Sequence, residues 1–116
     1  MRHRNKKKIL DREKQPRELM LRNLASSILI YEKVTTTEAK AKVVRALVDK
    51  AITISKTKDL TARRKLQALL PQKMAIKKLL EVLSERYKSN RGGYCRISKI
   101  DNRAGDGAKM VQIELV

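Results

Sequence analysis

An α+β domain, with about four helices packed on a small sheet that includes a C-terminal β-hairpin, is the fold the sequence predicts. Three observations carry that expectation. Apolar residues recur at helical spacing through most of residues 16 to 90, whereas the last seven residues, MVQIELV, alternate with a period of two. The opening MRHRNKKK holds Arg2, Arg4, Lys6, Lys7 and Lys8 with the only histidine, His3. A buried, unpaired cation costs several kcal/mol or more, so this stretch is read as a basic arm (residues 1–15) ahead of one globular unit (16–116).

The elements follow in chain order. Pro16 suits the first turn of a helix, and Met20, Leu24, Ile28 and Tyr31 then share one helical face. Lys33 to Thr37 is a short β-branched run. Thr35 stands three residues before Glu38, the capping-box spacing, so a strand is expected to lead into a second helix with Val44, Leu47, Val48, Ala51 and Ile52 inside. Asp59 is placed as the N-cap of a third helix that carries Leu66, Leu69 and Leu70 inward and Arg63, Arg64 and Lys65 outward. Pro71 interrupts it. A fourth helix follows, with Ile76, Leu79, Leu80, Leu83 and Tyr87 on one face and Lys73, Lys77 and Lys78 exposed, until Asn90, Arg91, Gly92 and Gly93 stop it. YCRISKI and MVQIELV are two strands joined by the long loop DNRAGDGAK.

The charge is spread over the whole chain. Twenty-nine Lys and Arg against twelve Asp and Glu leave +17 on 116 residues. Every segment of the chain is positive, from seven cations against two anions in residues 1–15 to five against three in 91–116. A cationic excess in every segment suggests contact with a polyanion along much of the molecule, not a single tether. The three tyrosines are the whole aromatic complement, so a chain that binds single strands by stacking bases is not expected.

Other classes are excluded in turn. No apolar run approaches the ~18 residues of a membrane span, and no apolar stretch follows the N-terminal charges to make a signal peptide, so an intracellular protein is expected. Cys95 is alone, which leaves neither an internal disulfide nor a zinc cluster, and His3 is remote in sequence from any partnership with it. No cofactor, metal, membrane or small-molecule substrate is expected. Asp101, Asp106 and Glu114 do not form a grouped metal site, because Asp106 lies in a glycine loop and Glu114 alternates out of a strand. RAGDGA lacks the following helix that a nucleotide-binding loop needs and is read as a turn, with Arg103 and Lys109 at its edges available to phosphates. The Arg63 and Lys73 clusters fit either a solvated helix face or a polyanion contact. Faces kept for solubility are usually mixed in sign, and these have only Asp59 and Glu81 near.

Five stretches carry a resemblance. MRHR at the start, RNLASSILI at 22–30, VTTTEAKAK at 34–42, GGYCRI at 92–97 and RAGDGAKMVQIELV at 103–116 stand in the order and spacing of bacterial ribosomal protein seventeen of the large subunit, which the chain resembles from end to end. It differs where that family commonly has His-Arg, here Pro16-Arg17, and where it often has His before Glu, here Tyr31-Glu32.

The resemblance implies a non-enzymatic structural constituent of the large ribosomal subunit, cytoplasmic and within the ribosome. It would bind large-subunit ribosomal RNA on the solvent side near the polypeptide exit, with neighbouring large-subunit ribosomal proteins as partners. The residues expected on RNA are Arg2, His3, Arg4, Lys6, Lys7, Lys8 and Arg12 in the arm; Arg17 and Arg22 on the first helix; Lys40 and Lys42 on the second; Arg63 and Arg64 on the third; and Arg91, Arg96, Arg103 and Lys109 beyond the fourth. Arginines suit bidentate phosphate contacts, and lysines act as point charges. The arm is expected to be disordered in the free protein and ordered between RNA segments. The alternative from another class is an architectural DNA-binding protein of the chromosome, for which the chain shows no helix-turn-helix pattern and no proline-tipped basic ribbon.

Overall fold

A strand placed at the very end of the chain organises the molecule. The computed structural model describes residues 14–116. In it β3 (Met110–Leu115) is the centre of a three-stranded antiparallel sheet, between β1 (Lys33–Thr37) and β2 (Cys95–Lys99). The alternation of MVQIELV sets its two faces: Val111, Ile113 and Leu115 are buried, while Gln112 and Glu114 point to the other side. The register puts Val34 and Ile97 on either side of Ile113, and Lys33 and Arg96 on either side of Glu114. The arm residues Arg2, His3, Arg4, Lys6, Lys7, Lys8 and Arg12 lie outside the described residues.

Four helices cover the inner face. They are α1 (Lys14–Tyr31), α2 (Glu38–Ser55), α3 (Leu60–Leu69) and α4, which runs through Lys73–Lys78, a π-helical stretch Leu79–Leu83 and Ser84–Arg86. The core is one cluster, drawn from Ala25, Ile28 and Leu29 of α1, Val44, Val48, Ala51 and Ile52 of α2, Leu66, Leu79, Leu83 and the strand residues. Tyr94 and Tyr87 are its only aromatic members, stacked edge to face at 5.1 Å, and the Tyr87 hydroxyl donates to the Val116 carbonyl at 2.6 Å.

Helix starts follow the expected chemistry with one shift. Asp59 caps α3, accepting the Ala62 backbone N–H at 2.7 Å. At α2 the cap is Thr37, whose hydroxyl accepts the Lys40 N–H at 3.5 Å, and not Thr35. Thr35 is held in the ladder opposite Gln112, so the strand runs two residues further before the helix begins.

Tyr31 is the other correction. It continues the spacing of Met20, Leu24 and Ile28, yet it is 72% exposed. The inward face of α1 is Ala25, Ile28 and Leu29, and Tyr31 falls outside it as the helix ends. The end is made by Glu32, whose φ of 65° is left-handed, the position where glycine is usual. Its N–H donates to the Ile28 carbonyl at 2.7 Å and its carbonyl accepts from Leu115 N–H at 2.9 Å, which locks the end of α1 to the central strand.

Candidate nucleic-acid interface

Some cations of the described surface have no carboxylate partner and others are held by one, while Lys42 is bridged to Glu38 and still 57% exposed. One solvent-facing group forms where α2 starts. The Glu38 N–H donates to the Lys109 carbonyl at 2.9 Å, which ties the first turn of α2 to the end of the hairpin loop. Lys42, one turn along, reaches the Glu38 carboxylate at 3.0 Å. Its hydrogen bond is the main reason Glu38 titrates below the usual carboxylate range, with smaller contributions from Lys42, Lys99 and Lys109 charge. Three ammonium groups thus surround one carboxylate beside the start of an 18-residue helix. Two adjoining clefts of 350 and 180 Å³ share Glu38 and Lys109; Lys42 lines one, Lys99 and Asn102 the other. A surplus of positive charge at a helix N-terminus suits a phosphate group. Lys40 lies on the same turn of α2, half-exposed.

The second group joins two clusters that Pro71 separates in sequence. The chain reverses after α3, and Arg63 and Gln67 of α3 come to line one groove with Lys73, Ile76, Lys77 and Glu81 of α4, about 480 Å³ in volume. Three cations meet one carboxylate there. Arg64 and Lys65 are also exposed, and Lys65 faces Lys50 over a shallower depression. Two of these partners escaped the sequence reading: Lys99, which only the hairpin register brings beside Lys109, and Gln67, which offers amide donors in the groove.

Other cations are engaged within the chain. Across the sheet, Arg96 donates to Glu114 at 2.6 and 3.0 Å. In the hairpin loop Arg103 holds Asp106 through two hydrogen bonds of 2.6 and 2.9 Å, and Gly107 at φ 69° lets the turn close. That bond draws Asp106 well below the usual carboxylate range. Arg22 and Arg91 are exposed and Arg17 is half-exposed.

Lys78 corrects the expected exposure of its cluster. Its ammonium donates to the Ile30 carbonyl and to Glu32 Oε2, both at 2.8 Å, and its side chain is only 21% exposed. Arg86 binds the same carboxylate. Hydrogen bonds from Arg86 and then Lys78 lower Glu32 from its ordinary 4.5 to about 2. A depressed carboxylate contributes stability that is complete above its unfolded value and is lost as pH falls through the folded one. Glu32→Gln should therefore cost about 1 kcal/mol at pH 7, after allowance for the exposure of the group, and the cost should shrink between about pH 4.5 and pH 2. Urea unfolding of both proteins at several pH values checks this; a cost independent of pH would contradict it.

Cys95 offers no catalytic alternative. Burial, and secondarily the nearby Asp49 carboxylate, push its thiol up to about 12, so it carries no thiolate at neutral pH. Among the described residues no group of three or more His, Cys, Asp or Glu is placed to hold a metal ion, and no helix is long and apolar enough to cross a membrane.

Comparison with known proteins agrees with this surface. The family described as Ribosomal protein L17 matches residues 20–116. The chain is 48% identical over 107 residues to the large ribosomal subunit protein bL17 of Caldanaerobacter subterraneus subsp. tengcongensis, covering 92% of this chain and 96% of that relative. It is 44% identical over 117 residues to the protein of the same name from Hydrogenobaculum sp., covering 100% of this chain and 99% of the relative. For the one from Syntrophotalea carbinolica the identity is 44% over 116 residues, covering 100% of this chain and 75% of the relative.

Proposed function

The chain belongs to the ribosomal protein L17 family, and from that premise we propose that it is a structural, non-enzymatic constituent of the large ribosomal subunit that holds folded ribosomal RNA through phosphate contacts. Its place is the cytoplasm, within the ribosome. The observation that carries the RNA contact is the groove in which Arg63, Lys73 and Lys77 converge against the single carboxylate of Glu81. Folded RNA brings backbones from different helices close together, and cations presented on a rigid surface relieve their repulsion by replacing released counterions. The Lys42, Lys99 and Lys109 corner does the same on another side of the molecule. With Tyr87 and Tyr94 buried, Tyr31 is the single tyrosine left to stack on a base, and recognition rests mainly on phosphates, ribose hydroxyls and shape. The site near the polypeptide exit, among neighbouring large-subunit proteins, is what the family resemblance implies.

A density gradient of cell lysate tests the proposal. The protein is expected to sediment with large subunits. Recovery mainly with chromosomal DNA would favour the architectural DNA-binding alternative and overturn the ribosomal one.

A further inference from the structure

One carboxylate in the groove between α3 and α4 has no cation bound to it. Glu32, Glu38, Glu85, Asp106 and Glu114 each hold a Lys or Arg. Among the described residues Glu81 takes part in no such ion pair, although it is exposed and lines the groove with Arg63, Lys73 and Lys77. Lys77 stands four residues before it on α4, the spacing at which Lys42 does reach Glu38. A carboxylate left open on a surface that receives phosphates repels them, so it weakens binding unless the ligand donates a hydrogen bond to it.

The lining residues restrict what that donor is. Arg63 and Gln67 lie four apart on α3, and Lys73, Lys77 and Glu81 four apart on α4, so each helix presents one stripe to the groove, with about 6 Å between successive positions. A phosphate held by Lys77 therefore brings its own ribose within reach of Glu81. In RNA that ribose carries a 2′-hydroxyl, both donor and acceptor, and in DNA the same position has only hydrogen. Base amines are the other donors. In a duplex they are engaged in pairing and lie deeper than the backbone, and no aromatic side chain lines this groove to hold an unpaired base.

On the premise of the RNA binding proposed above, we infer that Glu81 is a specificity-determining residue: its carboxylate accepts a hydrogen bond from the ribose 2′-hydroxyl beside a phosphate held by Lys77, and so favours RNA over DNA in this groove. The cations cannot supply that selectivity, because Arg and Lys attract the phosphates of either polymer. Glu81 repels both backbones, and only RNA returns a charge-assisted hydrogen bond, roughly twice as strong as a neutral one.

The test measures binding of the full chain and of its Glu81→Ala variant to one duplex sequence in three forms: RNA, DNA, and RNA with every ribose 2′-O-methylated, which keeps the A-form helix and removes the donor. Both proteins should melt alike, since Glu81 is exposed. The variant should bind DNA more tightly than the unsubstituted chain, because repulsion is relieved, and its preference for RNA over DNA should fall about tenfold. Methylation should likewise cost the unsubstituted chain about tenfold more affinity than it costs the variant. An equal gain on all three duplexes would show that Glu81 only repels phosphate, and equal sensitivity to methylation in the two proteins would show that no ribose hydroxyl reaches it. Either result overturns the role of Glu81 even if the chain sediments with large subunits. Failure of the unsubstituted chain to sediment with large subunits would overturn the function proposed above and this role with it.

Discussion

A chain shortened to begin at Lys14 is expected to fold normally yet to bind large-subunit ribosomal RNA with a salt dependence shallower by about 3 in the slope of log affinity against log salt. The truncation removes six Lys and Arg: Arg2, Arg4, Lys6, Lys7, Lys8 and Arg12. Each phosphate neutralised contributes a slope of about 0.7 to 0.9, so four working contacts among the six give that change. A fourfold rise in salt would then cost the truncated chain about sixty-fold less affinity than the full chain. Folding should be spared because, among the described residues, the buried core begins at Ala25, eleven residues inside α1. Binding measured across a salt series, with circular dichroism as the control for folding, decides the matter. An unchanged slope would leave the arm without a role in RNA binding.

The arm and the body are expected to work differently. Arg63, Lys73 and Lys77 are carried on helices, so their spacing is fixed by packing before RNA arrives. Contacts made from preplaced side chains lose little conformational freedom on binding, and they position the protein more than they read sequence.

Short-range features of this arrangement were legible in the sequence. The alternation of Val111, Ile113 and Leu115 predicts a strand with one buried face, and Asp59 before an apolar helical pattern predicts a cap; both stand. They depend on residues within a few positions of each other. The failures lie where distant segments meet. Tyr31 follows the helical spacing of Met20, Leu24 and Ile28, but whether a residue at the last turn is covered depends on what packs beyond it, and β1 turns away at Glu32. Lys78 reads as one of three equivalent lysines; only its approach to a carboxylate 46 positions earlier sets it apart. Arg96 finds Glu114 through strand register, and the π-helical stretch that brings Arg86 to Glu32 has no mark in the local pattern of apolar residues. Charge composition therefore points to a polyanion, while which cations are left outward-facing and which are engaged is a property of the tertiary structure.

That division yields a second large effect. Replacing Arg63, Arg64, Lys65, Lys73 and Lys77 together with Gln should leave the melting temperature nearly unchanged, because all five are exposed and surface charges contribute little to folding. RNA affinity should fall, and if the three groove cations each neutralise a phosphate, the salt slope should drop by about 2 to 3. Lys78→Gln, taken from the same stretch of helix, should behave in the opposite way. Its side chain is about four-fifths buried and its ammonium holds both the Ile30 carbonyl and Glu32, so its loss removes two part-buried hydrogen bonds and should cost about 1 to 2 kcal/mol. The salt slope of that variant should match the unsubstituted protein. Thermal melting and salt-dependent binding of the two variants separate the roles: a fivefold replacement that unfolds the protein, or a Lys78→Gln that weakens RNA binding without destabilising the fold, would mean that the cations are divided between RNA and the fold in some other way.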